Sequence, residues 1–260
     1  MSTRRTAVAT MLALTVLVGA CSSDSPVGPS TQRTTTLSQV LSEMSLPWMS
    51  AMSSVGDGSR ALSIGGPVAS NCAYSATLQS FACPATTSNG LTITQSFTLL
   101  DASGKPQSQF DANATAAVHL KSTIAGTPSP TATSTLTIDQ QLDMTLSGLL
   151  TSTHVLNGTM TTHMTVMTTS VPPTPPTSFD VTMSMSNLVL PPSISGGSAW
   201  PLSGTITEDL TSLDGAKSPA ITMHVTLTFN GTSKVAAIVT IGGLAQQCTI
   251  DLSTGTSTCG

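Results

Sequence analysis

Residues 221–229 alternate without a break: Ile221, Met223, Val225, Leu227 and Phe229 are apolar, and Thr222, His224, Thr226 and Thr228 between them are polar. A period of two marks a half-buried strand, because successive side chains leave an extended chain on opposite faces. From Val68 onward the chain keeps this habit, with Val, Ile, Leu and Met exchanging places with Thr and Ser. Charged residues are only 8% of the chain, so hydroxyl groups must wet the exposed faces. Thr favours strands and Ser favours turns, which makes this polarity a sign of β structure rather than of disorder.

Turn signals divide the pattern into hairpins. Asn89-Gly90, Asn157-Gly158 and Asn230-Gly231 each carry the dipeptide best suited to a two-residue hairpin turn. At Asn157-Gly158 such a turn pairs Ser152 with His163 and makes His154 a diagonal neighbour of His163. At Asn230-Gly231 it sets Val235 opposite Thr226, on the wrong face, so a three-residue loop or a bulge is expected there. The run Val171–Pro176 must interrupt any ladder, and Pro191-Pro192 with Gly196-Gly197 marks another long connection. A weak likeness links Thr137–Gly148 with Thr205–Gly215, each followed by a strand that ends in Asn-Gly-Thr. The expectation is an all-β fold of about ten to thirteen antiparallel strands. A meander that large curls into a half-barrel or barrel, or splits into a sandwich.

The N-terminus has another character. Arg4 and Arg5 precede an apolar run, Ala7 to Val18, and Val18-Gly19-Ala20 then sets small residues before Cys21. This order resembles the lipobox of bacterial lipoproteins, where a cysteine is acylated and the chain is cut in front of it. At about twelve residues the apolar run is too short to span a bilayer, which takes ~20. The resemblance covers residues 1–21 only. It implies an exported protein held to the membrane through lipidated Cys21, and Ser22 in place of Asp is the pattern of outer-membrane destination in diderm bacteria. Residues 1–20 are then the signal peptide and 21–35 a flexible tether. One β-rich domain, 36–260, follows. It opens on a helix over about 36–46, where Thr36 and Gln39 form a capping-box pair and Leu37, Val40, Leu41 and Met44 share a face. That helix is expected to pack on the apolar face of the sheet.

Setting Cys21 aside leaves four of the five cysteines. Cys72 and Cys83 form one close pair, Cys248 and Cys259 another, and in an oxidising compartment they read as two local disulfides. A zinc site needs closer spacing than this. Opposing Cys248 to Cys259 sets Ile250 against Ser257. The same arithmetic sets Tyr74 against Phe81, an aromatic pair beside the first disulfide.

No catalytic motif is present: there is no nucleophile elbow, zinc-protease helix, phosphate loop or dinucleotide fingerprint. Asp139 and Asp143 share a strand parity and Glu208-Asp209 are adjacent, and both pairs read as solvated carboxylates. Without Arg4 and Arg5, six basic residues face twelve acidic ones, which excludes nucleic acid as a partner. The candidate metal site is Met160, His163, Met164 and Met167, with Met183, Met185, Met223 and His224 further on; thioether and imidazole suit copper. Alternation nevertheless sends Met160 and Met164 away from His163 and Met167. Asn-Gly-Thr at 157 and 230 and Asn113-Ala114-Thr115 match glycosylation sequons, and turn chemistry accounts for the Asn-Gly pairs better. The sequence thus predicts a non-enzymatic β domain of the cell envelope without a cofactor. It acts as a scaffold or holds an apolar ligand or envelope protein, with soft-metal binding as the alternative.

Overall fold

The computed structural model describes residues 72–88, 90–111, 113–128, 134–168, 176–190, 200–214, 220–254 and 256–260; Cys21, the tether and the helix expected at 36–46 lie outside them. The described chain is all β. Its strands are β1 (Ala73–Ser75), β2 (Ser80–Ala82), β3 (Thr86–Ser88), β4 (Leu91–Asp101), β5 (Pro106–Gln107), β6 (Thr115–Gly126) and β7 (Ser134–Ser147). There follow β8 (His154–Thr168), β9 (Thr177–Leu190), β10 (Ser203–Asp214), β11 (Ile221–Thr228), β12 (Lys234–Ile241), β13 (Leu244–Asp251) and β14 (Thr256–Cys259).

All 14 strands belong to one sheet, ordered β1-β2-β4-β6-β7-β8-β9-β10-β11-β12-β13-β14, with β3 and β5 laid against β4. Each strand on that path therefore pairs antiparallel with its neighbours along the chain. Among the described residues the strands form one hydrogen-bonded sheet and not the two separate sheets of the sandwich alternative. Among the described residues no ladder joins β1 to β14, and the closed barrel does not form either. Alternation specifies faces, whereas closure also needs two edges long enough to pair. Here β1 has 3 residues and β14 has 4. Edges this short also present little unpaired backbone to other chains.

One cross-strand row shows how the face is built. Tyr74, Phe81, Phe97, Leu120, Met144, Gly158, Met185, Ile206, Leu227, Ala237, Cys248 and Cys259 stand opposite one another, strand by strand. Beside it runs a drier row, Leu99, Val118, Leu146, Leu156 and Leu188, all between 0% and 7% exposed. Burying a leucine side chain contributes about 1.5–3 kcal/mol, so these rows are the main apolar force on the sheet. The rings of Tyr74 and Phe81 lie 5.1 Å apart, and those of Phe81 and Phe97 stack at 4.7 Å. The disulfides Cys72–Cys83 and Cys248–Cys259 tie the two ends of the sheet, with Ile250 opposite Ser257 as the spacing predicts.

The three Asn-Gly pairs behave differently. Ser88 opposes Leu91 and Gly90 has φ +79, so the first is the expected two-residue turn. The second is not a turn, and β8 runs unbroken through it. Leu156 opposes Leu188 while Gly158 opposes Met185, so Asn157 alone faces Ser186 and Asn187 of a bulge in β9. Asn187 takes a left-handed φ of 50°, and its N–H donates to Asn157 Oδ1 at 2.7 Å. Asparagine and glycine serve a bulge for the reasons that suit them to turns: a short amide side chain and a missing Cβ. A Cβ on Gly158 would sit 2.4 Å from the Asp143 carbonyl oxygen and 2.7 Å from Met144 Cα. The third pair lies in a five-residue connection, Phe229 to Ser233, longer than the three-residue loop expected. Its Asn230 Oδ1 accepts hydrogen bonds from the Thr232 N–H and hydroxyl. The register Leu227 to Ala237 then returns Val235 to the buried face beside Phe229.

Strands β7 and β10 contain the two similar segments. The Asn-Gly that follows lies inside a strand in one and in a connection in the other, so the likeness does not extend to the fold.

Gly158→Ala is expected to lower stability by about 1–3 kcal/mol in urea unfolding, since the new Cβ meets backbone that cannot yield. Gly104→Ala, with nothing within 4 Å of its Cβ, bears only the strain of φ +80 and is expected to cost less.

Candidate functional site

The apolar face is graded along the strands. At one end are the Leu156 and Leu188 side chains, 1% and 0% exposed. Two rows further on, past Gly158 and Met185, come Leu142, Met160, Met183, Glu208, Val225 and Val239. Beyond these lie Gln140, Thr162, Val181, Leu210, Met223 and Ile241, and last Ile138, Met164, Phe179, Ser212 and Ile221. In that last row no residue is fully buried, and Ile221 is 59% exposed. The face is thus dry at one end and open at the other, with polar groups appearing between. Gln140 Nε2 donates to Thr162 Oγ1 at 3.1 Å and lies 3.0 Å from Met160 Sδ.

Glu208 corrects the sequence reading. It is 7% exposed, the one charged residue among the described residues that is buried, and it sits directly between Met183 and Val225. Strand alternation explains its place: Ile206, Glu208 and Leu210 share one parity, and Thr207, Asp209 and Thr211 the other. Glu208 and Asp209 are therefore not a pair of solvated carboxylates. Only Asp209 faces water.

The opposite face carries hydroxyls and three cross-strand His–Asp pairs. His119 Nε2 lies 2.5 Å from Asp143 Oδ1, His163 Nδ1 is 2.6 Å from Asp180, and His224 Nδ1 is 2.7 Å from Asp209. A carboxylate only accepts, so each imidazole N–H donates. Lys121 Nζ adds a contact to Asp143 Oδ2 at 3.3 Å. The His119 hydrogen bond, with Lys121 adding to it, holds the Asp143 carboxyl below its ordinary range. In two of the pairs the second ring nitrogen meets a threonine two residues on: Thr165 Oγ1 at 3.3 Å from His163, and Thr226 Oγ1 at 3.2 Å from His224. Asp–His–Thr order is that of a nucleophilic relay, but the setting does not suit acyl transfer. Among the described residues the strand N–H groups there belong to ladders and offer no pair of free donors to a developing oxyanion. About 220 Å³ of depression lies beside the Gly242-Gly243 turn and includes Asp209, Thr222, His224 and Thr240. That is smaller than the ~300–1,000 Å³ typical of ligand pockets.

The candidate metal residues are divided as alternation predicts. Met160 is buried on the apolar face and half-buried Met164 shares its parity, while exposed His163 and Met167 project from the other side. His154 and His163 both lie in β8, nine residues apart, and are not brought together by a turn. Among the described residues no group of three or more His, Cys, Asp or Glu is placed to hold a metal ion. Asp139 opposes His163 across the β7–β8 ladder, and Asp143 opposes Thr159.

No family model, curated protein or solved structure matches the chain.

Asp143 carries a pH consequence. Its pKa is depressed in the fold, so its contribution is complete above the unfolded carboxylate value near ~3.9 and is lost as pH falls through the folded value. The carboxyl is half exposed, which limits the effect to under about 1 kcal/mol. Asp143→Asn is expected to flatten the acid limb of the urea midpoint between about pH 5 and pH 2, leaving the midpoint at pH 7 slightly lower.

Proposed function

We propose that this chain is a bacterial cell-envelope lipoprotein, anchored through Cys21, whose sheet curves into a half-barrel and cradles an apolar ligand without catalysing a reaction. The observation that carries the reading is the graded face: apolar side chains run across twelve paired strands, dry at the Leu188 end and open at the Ile221 end. Curvature is supported by the size of the sheet, since strongly twisted sheets of this many strands rarely stay flat. A single layer also buries one face only if that face turns inward or is covered. The other face, with its threonines and His–Asp pairs, is suited to water. The two disulfides agree with an oxidising compartment outside the cytoplasm.

A pure scaffold needs a filled face along its whole length, whereas Met164, Phe179 and Ile221 form a rim that is partly exposed. Methionine suits such a rim and lining, because its flexible thioether adapts to ligands of different outline.

Two measurements test the reading. Mass spectrometry of the natively purified lipoprotein is expected to find a co-purifying apolar molecule, which Phe179→Asp or Ile221→Asp at the rim reduces at least about tenfold. Recovery of the same apolar molecules from wild type and rim variants alike would return the sheet to a scaffold role. Labelled palmitate is expected to enter the wild-type chain and not Cys21→Ser, and equal labelling would remove the anchor.

A further inference from the structure

A sheet with one wet face exposes large apolar side chains there only by exception. Among the described strand residues Ile238 is such an exception, alone between Thr226 and Gln247 on the outer face, and a single one calls for no partner. Past the row Asp139, His163 and Asp180, at the open end, the rule itself fails. Met167 in β8 shares the parity of His163, and Leu213 in β10 that of Asp209, so both leave the outer face. Ile221 in β11, opposite Ser212, and Leu244 in β13, opposite Ile241, leave the inner one. All four are between 45% and 60% exposed. From β8 to β13 they spread over five ladder steps of ~4.8 Å, or ~24 Å of one sheet end.

A ligand held on the inner face accounts for Ile221 and Leu244 but not for Met167 and Leu213, which point away from it. A partner that meets both faces at once must receive the strand ends between its own molecules, as the surface of a bilayer does. Charge agrees with this. Among the described residues past that row, Asp214 is the one charged position, whereas the opposite end carries Asp101, Lys105, Asp111, Lys234 and Asp251. The exposed turn residues Leu78, Leu150 and Leu202 lie at that charged end, where immersion would strip water from ions. Reach allows either end to meet the membrane. Residues 22–71 separate Cys21 from Cys72, and about 50 residues extend up to ~170 Å.

We infer that the open end of the sheet docks on the surface of a phospholipid bilayer, with Met167 and Leu213 entering from the outer side and Ile221 and Leu244 from the inner. From the preceding reading it takes only that the chain is held at a membrane. No described Lys or Arg lies at this end, so the docking needs no anionic lipid and persists at high salt. Where the face also holds an apolar ligand, a step that rests on the ligand reading, its mouth opens onto the membrane. The ligand then passes between the two without crossing water.

Fluorescent labels on the natively purified protein, read in phosphatidylcholine vesicles that contain a lipid-borne quencher, test it. Met167→Cys and Leu213→Cys carry the deciding labels, because a lipid lodged in the face quenches labels at the inner positions whether or not the bilayer is touched. With both disulfides and the strand circular dichroism retained, quenching at these two is expected to be at least about fivefold stronger than in Leu150→Cys and Leu202→Cys. Adding Leu213→Asp, which leaves the inner face intact, is expected to lower quenching of the Met167→Cys label at least about threefold and to leave the load of co-purified apolar molecule unchanged. Equal quenching at the two ends of the sheet would overturn the docking. So would quenching confined to Ile221→Cys and Leu244→Cys, which marks a lipid in the face without bilayer contact. Quenched outer labels on a protein that carries no apolar molecule would uphold the docking and sink the ligand reading alone, so the two fail separately.

Discussion

Everything in this sheet depends on parity being handed from strand to strand. Each antiparallel ladder sets a residue directly against its partner, so an apolar side chain in one strand obliges the next to supply one at a fixed distance along the chain. Twelve strands in chain order make this a single requirement that runs from Tyr74 to Cys259. A slip of one residue anywhere would turn every later apolar side chain outward. The count changes between β4 and β6, at Leu100/Asp101, and again at the β9 bulge at Asn187, to which both neighbours of β9 adjust. β8 meets it with Asn157 and Gly158, and β10 with Gly204, whose Cβ would lie 2.4 Å from the Asn187 carbonyl oxygen.

That requirement also explains what could be read in advance. Alternation identified the strand at 221–228 and the face of each of its residues, and cysteine spacing gave both end hairpins with their registers. Asn157-Gly158 misled, because the residue types that suit a tight turn also suit a bulge, and only the ladder decides between them. The misplaced turn split β8 in two and hid its cross-strand partners. Once β8 is continuous, His163 falls beside Asp180, while the companion pairs His119–Asp143 and His224–Asp209 are set by other ladders, β6–β7 and β10–β11. Glu208 was legible throughout: the parity of Ile206 and Leu210 brackets it. Its adjacency to Asp209 drew attention to the wrong dimension, since neighbours in a strand occupy opposite sides.

The two faces divide the chemistry of the molecule. The exposed side holds its charges in shallow cross-strand couplings that water screens. The apolar side holds, among the described residues, one buried carboxylate, Glu208, in a row of methionine and valine, where electrostatic effects are stronger. One side is tolerant of change and the other is not. Methionines that looked like a metal cluster in the sequence are placed by this division into two unrelated environments.

A sheet whose spatial order is its chain order has a consequence for how it is made. No long-path strand waits for a partner that lies far along the sequence; each can pair with the one just before it. Such local pairing lowers the loop-closure cost at each step and keeps unpaired edges few while the chain is incomplete. A polypeptide that becomes available one end first can assemble this sheet as it arrives, with a cystine clasp at the first hairpin of the sheet and another at its last.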